Sequence, residues 1–86
     1  DIDLAFFPRD AAQLDGGLAL LDHYSRQLPL DGEIIFPSGQ AVAWKEWRNA
    51  VSAPSRTRVL AKRIDGVLLA EPAGLLDEFT ERTCRA

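Results

Sequence analysis

Asp1 and Asp3 flank a single apolar residue at the head of the run Asp-Ile-Asp-Leu-Ala-Phe-Phe. In an extended strand successive side chains alternate faces, so these carboxylates share one face while Ile2, Leu4 and Phe6 share the other. Paired carboxylates repel each other and resist ionisation unless a cation lies between them. Oxygen donors suit a hard divalent ion, most simply Mg²⁺, which meets phosphates rather than being caged by protein. A solvated acidic fringe has the same local signature, so other segments must supply the rest of a site. Asp31 and Glu33, spaced around Gly32, repeat the pattern. If the segment between folds back on the sheet as a helix, two acidic strands lie side by side and a third carboxylate joins the first pair. That donor set serves two-metal phosphoryl or nucleotidyl transfer: one ion activates the attacking hydroxyl, the other stabilises the leaving pyrophosphate. Glu33, which opens an apolar strand, is the expected third carboxylate, and Asp31 is expected in the preceding turn. Lys62, alone in Val59-Leu60-Ala61-Lys62, either reaches a phosphate as a point charge or lies along the surface.

The elements that must position these groups follow from periodicity. Pro8 breaks the first strand, and Asp10 is placed to cap a helix. Leu14, Leu18, Leu21, Tyr24 and Leu28 recur at helical spacing up to Pro29, whereas His23 falls off that stripe with no partner at metal-ligand spacing. Two strands, Glu33 to Phe36 and Ala41 to Trp44, are expected around the turn Pro37-Ser38-Gly39-Gln40. A short helix from Lys45 to Ser52 carries Trp47 and Val51 on one side, and Ala53-Pro54-Ser55 is a connector. A second hairpin joins Val59–Lys62 to Val67–Ala70 through Asp65-Gly66. Pro72 opens a last helix with Leu75, Leu76 and Phe79 on one face. This order predicts a single α+β domain, a mixed or antiparallel sheet with helices packed on it.

Bulk properties narrow the function classes. The 86 residues, 47% hydrophobic, suffice for one small core. A net charge of −3 argues against nucleic acid as the main partner. No apolar run approaches the ~20 residues of a membrane span. The one cysteine, Cys84, has no partner for an internal disulfide, which fits a reducing cytoplasm. The strand beginning at residue 1 without an initiator Met leads to the expectation of a piece of a longer polypeptide.

Four segments in order carry a resemblance: Asp1-Ile2-Asp3-Leu4; Leu30-Asp31-Gly32-Glu33-Ile34; Ser38 through Glu46 with Val42-Ala43-Trp44-Lys45-Glu46; and Arg58-Val59-Leu60-Ala61-Lys62. Together the chain resembles the C-terminal part of the phosphoribosyl-dephospho-CoA transferases of malonate decarboxylase, which belong to the nucleotidyltransferase superfamily. The resemblance implies a nucleotidyltransferase-like core. It implies attack by a serine hydroxyl of the malonate decarboxylase acyl carrier protein on the α-phosphate of a triphosphoribosyl-dephospho-CoA donor, with release of pyrophosphate. Asp1 and Asp3 match the metal-binding pair, and Glu33 or Asp31 takes the place of the third carboxylate. Lys45 and Lys62 become candidates for substrate binding, although Trp44, Lys45 and Glu46 serve equally well as scaffold. Carrier proteins are acidic, so the clustered Arg48, Arg56, Arg58 and Arg63 are candidates for docking one. The superfamily's Gly-Ser turn before the Asp-x-Asp strand is not among these residues, so the chain alone is expected to be inactive. Two other readings share the acidic strands: a nucleotidyltransferase of toxin–antitoxin or antibiotic-modifying type, and a non-enzymatic α+β interaction module.

Overall fold

The computed structural model describes residues 2–51 and 58–84, with side chains of the last helix described as far as Phe79. Asp1, Arg56 and the connector Ala53-Pro54-Ser55 lie outside the described residues.

Five strands form one sheet whose spatial order equals their chain order: β1 (Ile2–Phe6), β2 (Leu30–Ile35), β3 (Ala41–Ala43), β4 (Val59–Arg63) and β5 (Gly66–Ala70). The first pair is parallel and joined by helix α1 (Ala11–Ser25); the other three pairs are antiparallel. The sheet is therefore mixed, and with α2 (Trp44–Ala50) and α3 (Pro72–Cys84) it makes the expected α+β fold. Alternation along the strands sends Leu30, Ile34, Val42, Val59 and Ala61 to one face. There they form a single buried core with Leu14 of α1, Trp44, Trp47 and Ala50 of α2, and Leu75 and Phe79 of α3. Phe36 lies at its centre, with ring centroids 4.9 Å from Trp47 and 5.7 Å from Phe79. All three helices thus pack on one side of the sheet and leave the other side open.

Local chemistry explains the element ends. Asp10 caps α1 by accepting a hydrogen bond from the Gln13 amide at 2.8 Å, satisfying a donor that has no intrahelical partner. The apolar stripe drives α1 onto the sheet through Leu14, Leu18 and Leu21, but the helix stops at Ser25, so Leu28 lies beyond it and is exposed. Glu78 of α3 accepts from the Ser38 amide and hydroxyl and from the Gln40 side chain, pinning the β2–β3 turn. Trp44, expected to end a strand, instead opens α2, where its ring is buried. The β4–β5 turn is Ile64-Asp65 rather than Asp65-Gly66. Gly66, at φ +148°, pairs with Arg63 and is the first strand residue.

Asp31 is the larger correction. It is not in a turn but inside β2, directly opposite Asp3 in the parallel register. The Asp31-Gly32 pair has the composition of a turn, yet Gly32 uses its freedom differently. Its φ is +138°, and a Cβ there would run into the backbone of Leu4 on β1. Glycine is what lets β1 and β2 approach closely at this point.

Candidate active site

On the open face, β1 presents Asp3 and β2 presents Asp31 and Glu33. Asp3 and Asp31 are register partners, and Glu33 lies two residues further along the same face. Like charges opposite one another on neighbouring strands are destabilising unless offset. The offset comes from two lysines. Lys45, in the first turn of α2, places Nζ 3.4 Å from Asp31 Oδ1. Lys62, on β4, places Nζ 3.1 Å from Glu33 Oε2, a buried oxygen with no hydrogen-bond partner of good geometry among the described residues. Asp3 has no ion-pair partner among the described residues.

Lys62 reaches Glu33 across an intervening strand. It can do so because β3 offers only alanines on this face: Ala43 pairs with Glu33, and Ala41 pairs with Lys62. Two strand spacings are ~10 Å, a span that a lysine and a glutamate close only over small neighbours. The result is a cavity of about 270 Å³ lined by Asp3, Asp31, Gly32, Glu33, Ala43, Trp44, Lys45 and Lys62. Among the described residues, no group of three or more His, Cys, Asp or Glu side chains is placed to hold a metal ion. Asp31 and Glu33 meet lysines instead.

The Trp44-Lys45-Glu46 run divides into separate tasks. Trp44 is core, its indole N–H buried without a hydrogen-bond partner among the described residues. Lys45 turns to the cavity, and Glu46 accepts a hydrogen bond from the Leu60 amide, tying α2 to β4. The Ala-Val-Ala of β3 and Gly32 carried no chemical signal of their own, yet they shape the cavity. The alternation of small residues beside the Asp-Gly-Glu strand was the sequence trace of both.

Of the clustered arginines, the described Arg48, Arg58 and Arg63 fall on different parts of the fold. Arg48 of α2 reaches back to Asp22 of α1 at 2.6 Å and lies 5.3 Å from the Trp44 ring centroid, so it clamps two helices. Arg58 is exposed just before β4, while Arg63 ends that strand and pairs with Asp65 at 3.6 Å. His23, exposed on α1, packs edge-on against Tyr24.

The fold and the site define a two-layer α+β domain that carries a charged cleft on its uncovered sheet face. Its lineage is the one suggested by the Asp-x-Asp and Asp-Gly-Glu strands. The chain belongs to the phosphoribosyl-dephospho-CoA transferase family, matching the model of the MdcG C-terminal domain over residues 1–73. No curated protein and no solved structure matches the chain. Among the described residues, no helix is long and apolar enough to cross a membrane.

Proposed function

We propose that this domain contributes the acidic half of the site at which a phosphoribosyl-dephospho-CoA prosthetic group is transferred to a serine of the malonate decarboxylase acyl carrier protein. The observation that carries the reading is the juxtaposition of Asp3, Asp31 and Glu33 on one open face with Lys45 and Lys62 at its rim. In the reaction the serine oxygen attacks the α-phosphorus of a triphosphoribosyl-dephospho-CoA donor. A P–O bond to the carrier forms, the bond to the β-phosphate breaks, and pyrophosphate leaves. Lys45 and Lys62 are suited to hold donor phosphate oxygens as point charges. Their pairing with Asp31 and Glu33 keeps the ammonium groups directed at the cavity before a donor arrives. A carboxylate at Asp3, the acid here without an ion-pair partner among the described residues, is suited to accept the serine proton.

Asp31 and Glu33, each held against a lysine, do not fit as ligands of an ion in this arrangement. Magnesium belongs to the proposal only at Asp1 and Asp3, where it would neutralise charge on the departing phosphates. None of the lysine contacts depends on it.

Carrier modification by the intact protein tests the reading. Asp3→Asn should lower the transfer rate by at least about a hundredfold, the scale of losing a general base or a metal contact. Its melting temperature should stay near that of the wild type, because Asp3 is exposed. Near-normal transfer by this variant would refute the assignment.

A further inference from the structure

β5 forms the second margin of the sheet, and its outer edge is not built to meet water alone. The pair Arg63–Gly66 closes the Ile64-Asp65 turn, and from there hydrogen-bonded and non-hydrogen-bonded pairs alternate along the hairpin. Lys62–Val67 and Leu60–Leu69 are therefore non-hydrogen-bonded pairs. The Leu60 amide agrees with that parity, because it donates to Glu46 rather than to β5. The N–H and C=O groups of Val67 and Leu69 thus point away from the sheet, without a backbone partner among the described residues. Their side chains are 61% and 63% exposed. Helix α3 turns inward from this edge: Glu78 holds the β2–β3 turn, and Phe79 meets Phe36.

A free strand edge invites pairing with another chain, and proteins blunt such edges with charge, proline or a bulge. Gly66-Val67-Leu68-Leu69-Ala70 carries no charge and no proline, and its register with β4 is unbroken. We propose that β5 pairs antiparallel with β5 of a second copy, about a two-fold axis through Leu68, so that two domains share one continuous sheet. The edge is self-complementary in that register. Val67 of each copy lies opposite Leu69 of the other, and each such pair exchanges two backbone hydrogen bonds. On the open face, Leu60, Val67 and Leu69 of both copies merge into one aliphatic patch. Sliding the strands by two residues would set Asp65 against Leu69, or Glu71 against Val67. The proposed register leaves both acids at the ends of the seam, where water screens their repulsion. β1, at the other margin, carries Asp3, a charge of the kind that blunts an edge. In the pair, both clefts open on the same side, with their rim lysines three strand spacings, ~14 Å, apart across the strands. Nothing in this pairing depends on the transferase reading.

Sedimentation equilibrium of the intact protein tests this. A five-residue seam is small beside the ~1,200–2,000 Å² of stable interfaces, so the mass should rise from monomer towards dimer between about 1 and about 100 µM. Leu69→Pro removes an N–H that the hairpin does not use, and with it two of the four seam hydrogen bonds. It should weaken the dimer at least about tenfold. Leu69→Lys should weaken it too, which keeps the test readable if proline unsettles the strand. Leu60→Lys, on the same face but one strand in from the edge, should leave dimerisation within about twofold of the wild type. In hydrogen exchange the Val67 and Leu69 amides should gain protection as concentration rises, while the Leu68 amide is protected throughout. A protein still monomeric at about 100 µM overturns the pairing. A dimer that Leu60→Lys abolishes and Leu69→Lys spares overturns it as well, as does a dimer that leaves the Val67 and Leu69 amides unprotected.

Discussion

Replacing Gly32 by alanine would test the close approach of the two acidic strands directly. Two costs arise. The first is conformational: φ of +138° is a region that L-residues rarely adopt, and occupying it costs about 1–3 kcal/mol. Gly66 shares this cost, at φ +148°, but a Cβ there meets nothing within 4 Å. The second cost is steric and belongs to Gly32 alone, since its Cβ would overlap the Leu4 backbone. Backbone cannot turn aside as a flexible side chain does, so relief requires β1 to shift or detach, at about 2 kcal/mol or more on the scale of overpacked interiors. Gly66→Ala should therefore lose about 1–3 kcal/mol and Gly32→Ala about 3–5 kcal/mol. For a domain of this size each kcal/mol lowers the melting temperature by roughly 4–8 °C. Gly32→Ala should thus melt at least ~8 °C below Gly66→Ala in thermal unfolding followed by circular dichroism. Hydrogen exchange adds a local readout, because the β1 amides should lose protection in Gly32→Ala and keep it in Gly66→Ala. If the two variants melted together with β1 equally protected, the close approach described here would be wrong.

Three further outcomes follow from the ion pairs. Asp22→Asn should cost about 0.5–1 kcal/mol, since the Arg48 pair is 39% exposed on each side and partly screened by water, and half-molar salt should shrink the difference in thermal melts. A double-mutant cycle on Lys62→Met and Glu33→Gln should give a coupling below about 1 kcal/mol for stability, yet each single variant should lose most of its transfer rate in a carrier-modification assay. Reversing Arg58 and Arg63 to glutamate should slow carrier modification at low salt and flatten its salt dependence if these arginines steer an acidic carrier; a rate indifferent to both would place docking elsewhere.

Much of this domain can be read in its residues, and the exceptions have physical causes. Asp10 announces its helix because a carboxylate before an apolar stripe has few other uses. Asp1-Ile2-Asp3-Leu4 declares a strand, and its neighbour proved to be the Asp-Gly-Glu strand because a short helix between two strands returns the chain to the same sheet. The pattern misplaced Asp31 because a glycine after aspartate reads as a turn, whereas this one relieves crowding between paired backbones. It also left the lysine contacts open. Lys62 and Glu33 are far apart in sequence and meet only across a strand of alanines, a relation fixed by register. The sequence likewise left open where its arginines fall: Arg48 is on a helix facing α1, while Arg58 and Arg63 stand at opposite ends of a strand.

The coincidence of chain order and sheet order carries a consequence for how the domain comes apart. β1 lies at the margin of the sheet and contributes no residue to the fully buried core, while Ile2 and Leu4 are about two-fifths exposed. The strands β2 to β4, with the tryptophans of α2, contain most of what resists unfolding. Fraying should therefore start at the two margins of the sheet, β1 and β5, neither of which adds a fully buried residue, and one of these margins holds Asp3 and completes the cleft. Whatever presses on β1 from its free edge would tune the population of assembled sites without disturbing the core behind them.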